Sequence, residues 1–104
     1  MEYVEAKTFL HQIDAVSLMD EVEREYIFTL AKRITDPIAE VGCCCGGTSI
    51  LMAIASPVEI YAIDNGAASQ QEEICSRNIE NSGYKDRIHF IRGEADMCAS
   101  AFTD

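Results

Sequence analysis

The residues best suited to chemistry lie where short apolar runs of the sequence end. The first run, Ile38–Val41, carries Glu40 and leads into a segment of small residues from Gly42 to Ser49. An acid inside an apolar strand is costly unless it meets a polar ligand or a good hydrogen-bond partner. Glycines between a strand and a helix let a ligand approach the backbone, and the helix start offers amides to an anion. This segment predicts a ligand site, with a plain strand-to-helix turn as the alternative.

The second apolar run, Val58–Ile63, is followed directly by Asp64 and Asn65. A carboxylate at the end of such a strand can accept two hydrogen bonds from the hydroxyls of a ribose. A simple Asx turn that ends the strand is the alternative for these two residues. The glycine turn lies at the distance along the chain that nucleotide-type sites require, which favours the ribose interpretation.

The third apolar run, Arg87–Ile91, leads into Gly93, Glu94, Ala95 and Asp96. The two acids could serve only to stabilise the N-terminus of a following helix. Their place after a third strand nevertheless makes this the third position where ligand contacts are expected, because ligands of open α/β sheets bind beyond the carboxyl ends of the strands.

Helical segments separate and precede these strands. Apolar spacing predicts a first helix over Ala6–Val16. A second helix follows a capping box in which Asp20 reaches back to the Ser17 amide. Its apolar stripe is predicted to consist of Val22, Tyr26, Leu30 and Ile34, with Ile27 and Ala31 beside it.

Two further helices, Thr48–Ala55 and Ala68–Ser82, alternate with the strands. In the second of them Ile74, Cys75 and Ile79 are predicted to face inward, and Gly83 is expected to stop the helix. Strands that alternate with helices predict an α/β fold. We expect a Rossmann-like three-layer sandwich with a partial parallel sheet of about three strands and N-terminal helices.

Composition narrows the classes of function. The chain has 104 residues and a formal net charge of −10, which fits one domain and argues against nucleic acid and anionic membranes as partners. No apolar stretch is long enough for a membrane span, and no signal-like start is seen, so a cytoplasmic location is expected. The five cysteines form no C-x-x-C pair, so we expect reduced packing cysteines and no metal site.

The glycine spacing distinguishes two kinds of cofactor. Nicotinamide sites use G-x-G-x-x-G around a pyrophosphate, whereas this chain has G-x-x-x-G-G preceded by Glu40. An acid beside the turn would repel a phosphate and would instead be an acceptor for a ligand that carries an ammonium group. A fragment of a nicotinamide-dependent oxidoreductase is therefore the less favoured alternative.

The segment Glu40–Ser49 resembles the first motif of class I S-adenosylmethionine-dependent methyltransferases. A subgroup often named family 24 methyltransferases is the most similar, because Glu40, Gly42, Gly46, Thr48 and Ser49 match its form. Cys44 stands where the commoner form of the motif has glycine. The likeness spans about Ser17 to Asp96 and implies that Glu40 lies near the methionine portion and Glu94 near the adenine amino group. It implies cofactor contacts from Glu40, Gly42, Cys44, Gly46, Gly47, Thr48, Asp64, Asn65, Glu94 and Ala95.

The resemblance implies only the cofactor-binding half of an enzyme. Family members continue with further strands, and the residues that contact the methyl acceptor mostly follow those strands. We therefore expect residues 1–104 to form a single truncated or minimal domain, with its methyl acceptor and catalytic residues unassigned. The first strand would then be an open apolar edge that a homodimer could cover. A non-catalytic Rossmann-like dimerisation module is accordingly the main alternative to the methyltransferase.

Overall fold

The computed structural model describes residues 1–16, 19–42, 46–64 and 69–93. Cys44, Asn65, Glu94 and Ala95 lie outside these ranges, as does Ser17. In the described part the helices are α1 (Tyr3–Gln12), α2 (Glu21–Ala31), α3 (Gly47–Ala55) and α4 (Ser69–Ser82). The strands are β1 (Ile38–Val41), β2 (Ile60–Asp64) and β3 (Ile88–Arg92). None of the described helices is long and apolar enough to cross a membrane.

The three strands form one parallel sheet in the order β1-β2-β3. Ile38 pairs with Ile60, which pairs with Ile88, and the register continues to Val41 beside Ile63. Both crossovers run in the same direction along the sheet, so right-handed connections place α3 and α4 on one face. The predicted α/β class, the parallel three-stranded sheet and the N-terminal helices are confirmed.

Helix α3 lies at the centre of the core. It packs against β2 and β3, and the other three helices pack against it. Every residue from Gly47 to Ala53 except Thr48 is buried. Most other buried apolar residues come from helices α1, α2 and α4 and from strands β2 and β3. They include Ala6, Leu10, Phe28, Ala31, Ile60, Ala62, Cys75, Ile79 and Ile88.

Helix α2 begins later than the sequence predicted. Asp20, expected at the N3 position of a capping box that starts at Ser17, is instead the N-cap, and its carboxylate accepts a hydrogen bond of 2.9 Å from the Glu23 amide. This bond and the nearby Arg24 lower the pKa of Asp20. An aspartate is among the best residues for this position because its short side chain reaches the unbonded amides of the first turn.

The predicted inner face of α2 was also wrong. Val22 and Tyr26 are 79% and 66% exposed, and Leu30 is 43% exposed, whereas Phe28 and Ala31 are buried. The Phe28 ring lies 5.8 Å from the ring of Tyr3 on α1. Ile74 of α4, predicted to face inward, is likewise 36% exposed, whereas Cys75 and Ile79 are buried as expected. The C-terminal stop at Gly83 is consistent with its φ of +82°.

The C-terminal end of α3 is tied to three other elements. The Arg87 guanidinium donates to the carbonyls of Ala53, Ser56 and Val58 at 2.7, 2.8 and 2.9 Å. The buried Ser56 hydroxyl donates to the Ile34 carbonyl at 3.1 Å, just beyond α2. The Ala53 carbonyl in the last turn of the helix and two carbonyls just beyond the helix are thus satisfied by a cation from the segment before β3.

Candidate functional site

The carboxyl ends of the strands meet at one edge of the sheet. The Gly42 amide donates to the Ile63 carbonyl at 2.7 Å, and the Gly93 amide donates to the Asp64 carbonyl at 2.9 Å. The three strand ends that the sequence singled out are therefore neighbours, in the order in which the strands pair. Parallel strands place their carboxyl ends together, which is why this edge is the place where side chains from distant segments converge.

The turn between β1 and α3 depends on Gly46. Its φ of +85° belongs to the left-handed region, which residues with a Cβ adopt only with strain. A Cβ at this position would lie 3.2 Å from the Cys75 Sγ and 3.5 Å from an Ile79 side-chain carbon. The backbone of the turn therefore sits directly on α4. Gly46 is needed both for its conformation and for the lack of a side chain.

Glu40 points from β1 toward the first turn of α3. The Ser49 hydroxyl donates to its Oε1 atom, and Ser49 is fully buried. Burial raises the pKa of the Glu40 carboxyl, the Ser49 hydroxyl lowers it in part, and the nearby charge of Asp64 raises it again. The sequence predicted Glu40 as a site residue and named Ser49 in its motif, but the bond between them required the structure.

Thr48 joins the site to the segment before α2. Its Oγ1 lies 3.5 Å from the Sδ of Met19, a distance suited to a weak hydrogen bond to sulfur. No signal in the sequence predicted a contact between Met19 and this helix. The Met19 side chain, just before α2, thus lies beside the first turn of α3.

The structure brings six of the ten predicted site residues to this edge or to the turn beside it. They are Glu40, Gly42, Gly46, Gly47, Thr48 and Asp64. The other four, Cys44, Asn65, Glu94 and Ala95, lie outside the described residues, and the cofactor contacts of all ten stay predictions. In the described ranges, no group of three or more His, Cys, Asp or Glu side chains could hold a metal ion.

Neither histidine belongs to this edge. His89 stacks on Tyr61 with ring centroids 4.9 Å apart, and its Nε2 lies 3.1 Å from Glu59 Oε2. Glu59 precedes β2, at the opposite end of the strand from Asp64, and both His89 and His11 are exposed. The chemistry of the edge consists of two carboxylates, a hydroxyl pair and the amides of a helix start. Such a set can bind cations, hydroxyl groups and amines.

Comparison with known proteins defines the fold. No protein-family model matches the sequence, and a search of curated proteins finds no match. Among solved structures, the O-methyltransferase TomG from Streptomyces achromogenes, in complex with SAM, is similar with a TM-score of 0.73 and 19% identity. The alignment covers 97% of this chain and 46% of that chain.

Two more solved structures agree with this result. The SAH-bound Podospora anserina methyltransferase PaMTH1 gives a TM-score of 0.74 at 17% identity over 97% of this chain and 45% of that chain. The O-methyltransferase from Bacillus cereus in complex with SAH gives 0.70 at 16% identity over 100% of this chain and 50% of that chain. The chain therefore has the Rossmann-like fold of these methyltransferases and spans about half of their length.

Proposed function

We propose that the chain is the cofactor-binding portion of an S-adenosylmethionine-dependent methyltransferase. The observation that carries the proposal is the meeting of Glu40 and Asp64 with a glycine turn at one edge of a methyltransferase-like sheet. These residues come from two strands and the turn after the first, so no local motif alone would produce the arrangement. Residues 1–104 are proposed to act as one domain in the cytoplasm.

Each group at the edge suits one part of this cofactor. The Glu40 carboxylate is an acceptor for the α-ammonium group, and Asp64 is an acceptor for the ribose hydroxyls. The left-handed turn at Gly46 lets the ligand approach the backbone, and the first turn of α3 offers amides to the carboxylate of the amino-acid portion. The cofactor itself would supply an electrophilic methyl group, and this chain would hold and orient it.

The proposal assigns no methyl acceptor and no catalytic residue. None of the ion pairs between described residues includes Glu40. The nicotinamide alternative would place a pyrophosphate at the turn. Glu40 and Asp64, the two acids nearest this turn in the described sheet, would repel such a group.

Isothermal titration tests the cofactor directly. S-adenosylhomocysteine should bind with 1:1 stoichiometry, whereas NADH should give no heat under the same conditions. Absence of heat with millimolar S-adenosylhomocysteine, or tighter binding of NADH, would contradict the proposal. The exposed Glu59→Gln variant is a suitable control, since Glu59 lies at the far end of the same strand as Asp64.

A homodimer through β1 is a second candidate role. In the described sheet β1 pairs only with β2, so its other edge offers unpaired amides and carbonyls. Val41 on this strand is 66% exposed. An apolar groove of about 290 Å³, lined by Met19, Val22, Glu23, Tyr26 and Ile27, adds exposed apolar surface on α2.

Light scattering over a range of concentrations tests this role. A dimer through the strand edge should dissociate when Val41→Lys introduces charge at the edge, and Val4→Lys on α1, where Val4 is 72% exposed, is the matched control for a general effect of charge. A monomer at all concentrations would exclude the dimerisation module. Titration of S-adenosylhomocysteine into the same samples shows whether cofactor binding depends on the assembly.

A further inference from the structure

Ser49 is a fully buried polar residue in the first turn of α3, and its hydroxyl is directed at Glu40. Helix α3 fixes the position of this hydroxyl, because Ser49 lies between the core residues Ile50 and Gly47 in a helix that is buried along most of its length. A buried hydroxyl on a rigid element restricts the carboxylate it contacts to one orientation.

The surroundings of Glu40 disfavour the ionised form of its carboxyl group. None of the ion pairs between described residues includes Glu40. Asp64 faces it from β2, and Ser49 faces it from α3. Burial and the Asp64 charge raise the pKa of Glu40, and the Ser49 hydroxyl is the group that counters this effect. Among the described residues, Glu40 thus forms no ion pair at a point where a second carboxylate, that of Asp64, lies near it.

We infer that Ser49 is a positioning residue that holds Glu40 as the acceptor of the cofactor's α-ammonium group, and that cofactor binding consequently weakens as the pH falls. The inference rests on the proposed function and extends it to a linkage between binding and protons. An ammonium group beside Glu40 supplies the missing positive charge, and it can be accepted only by the ionised carboxylate.

The direction of the pH effect follows from this linkage. The bound ammonium favours the charged form of Glu40, so its pKa is lower in the complex than in the free protein. Affinity is then greatest above the titration range of the free site, and it falls as the pH drops through that range. Each molecule bound within the range releases part of a proton into the buffer.

Removal of the hydroxyl moves this range. In Ser49→Ala, Glu40 loses a hydroxyl that opposes the rise in its pKa, so the loss of affinity should begin at a higher pH than in the wild type. We expect affinity for S-adenosylhomocysteine to fall about tenfold in mildly acidic buffer and to approach the wild-type value in alkaline buffer. A general loss of structure would lower affinity equally at every pH.

Isothermal titration at several values between about pH 5 and 8 measures the effect, and paired buffers of different ionisation enthalpy count the protons released. The probes are S-adenosylhomocysteine and 5′-methylthioadenosine, which lacks the amino-acid portion and should show no proton release. Ser56→Ala is the matched control, since Ser56 is a buried serine at the other end of α3.

Two outcomes separate this inference from the proposed function. If the wild type binds neither probe, the proposed function fails. If it binds both with the same pH profile, or if Ser49→Ala matches Ser56→Ala, only the role of Ser49 is overturned.

A second variant and a direct titration of Glu40 test the inference even if Ser49→Ala does not fold. Glu40→Gln should abolish the pH dependence of S-adenosylhomocysteine binding, and persistence of that dependence would contradict the inference. Carboxyl carbon NMR of the free protein should show Glu40 titrating above a typical glutamate in the wild type and higher still in Ser49→Ala. Equal titration curves in the two proteins would overturn the positioning role.

Discussion

The two ends of helix α3 are built from opposite chemistry. At the C-terminal end, Arg87 and Ser56 bond backbone carbonyls from three segments, so this end is closed by groups of the protein itself. At the N-terminal end, a left-handed glycine leads into the helix, and the Glu40 carboxylate beside it accepts a hydrogen bond from the Ser49 hydroxyl. The helix is thus anchored at one end and prepared for a ligand at the other.

Because of this difference, one end of α3 mainly serves stability and the other end mainly serves binding. Bonds from a guanidinium to otherwise unbonded carbonyls stabilise the fold, whereas a partly buried acid without a cation destabilises it until a ligand arrives. Substitutions at the C-terminal end should therefore change the free energy of unfolding with little direct effect on binding. Substitutions at the N-terminal end should change binding more than stability, with Gly46 as the position that affects both.

Arg87→Met should have the largest effect. It removes three hydrogen bonds and leaves carbonyls at the end of α3 without their donor, so the free energy of unfolding should fall by about 3 kcal/mol. Urea denaturation followed by circular dichroism measures this change. Arg92→Met is the control, because Arg92 is exposed and forms one ion pair with Glu72 at 3.5 Å. Such a surface ion pair contributes about 0.5 kcal/mol to the free energy of unfolding. Equal effects of the two substitutions would remove the contrast between the ends of α3.

Gly46→Ala should lower the free energy of unfolding by about 2 kcal/mol, through both its positive φ and the close approach to Cys75. Gly83→Ala shares the positive φ but would place its Cβ in open space, so it should cost about 1 kcal/mol. Thermal or urea unfolding of both variants isolates the packing contribution of the turn. If Gly83→Ala is the more destabilising, the contact between the turn and α4 does not constrain the fold.

Asp64→Asn should reduce the affinity for S-adenosylhomocysteine about tenfold, equivalent to about 1.4 kcal/mol, because a neutral amide is a weaker acceptor for ribose hydroxyls. The free energy of unfolding should change little. Isothermal titration beside the Glu59→Gln control measures the difference. Unchanged affinity in Asp64→Asn would place the ribose elsewhere and leave the Asx-turn interpretation.

Glu40→Gln should have the smallest effect on stability and should raise it. The pKa of Glu40 is raised in the folded protein, so its contribution to stability is complete below the pKa of the unfolded chain and is lost as the pH rises through the folded value. At neutral pH the amide should therefore stabilise the protein by less than about 1 kcal/mol, and the gain should disappear in acid. Urea unfolding at both pH values tests the sign, with Glu25→Gln on the surface of α2 as control.

Much of the fold could be predicted because strands and helices alternate with clear breaks. The bounds of β1 were predicted at both ends, and Gly83 ended α4 as expected. The inner face of α2 could not be predicted, since Val22, Tyr26 and Leu30 have the same helical spacing as a buried stripe. The buried face is chosen by contacts with α1 and α3, as Phe28 shows against Tyr3. Such contacts join segments whose proximity no local pattern reveals.

The site also has features that the sequence predicted and features that it did not. Glu40, Gly46 and Asp64 could be predicted because each breaks the local pattern, as an acid in a strand, a glycine at a turn and an acid at a strand end. Two contacts could not be predicted, because both depend on tertiary packing. One joins Met19 to Thr48, and the other is the close approach of Gly46 to Cys75. For Gly46, the sequence predicted a glycine turn, but it did not predict that a Cβ at this position would meet Cys75.

The parallel register of the sheet also has a consequence for the order of folding. Each strand pair joins residues separated by a complete crossover helix, so neither pair can form before α3 or α4 has closed a long loop. The contacts of α3 with β2 span shorter stretches of chain. We therefore expect a nucleus around α3, with β3 joining late through Arg87, and a refolding rate set by loop closure more than by helix formation.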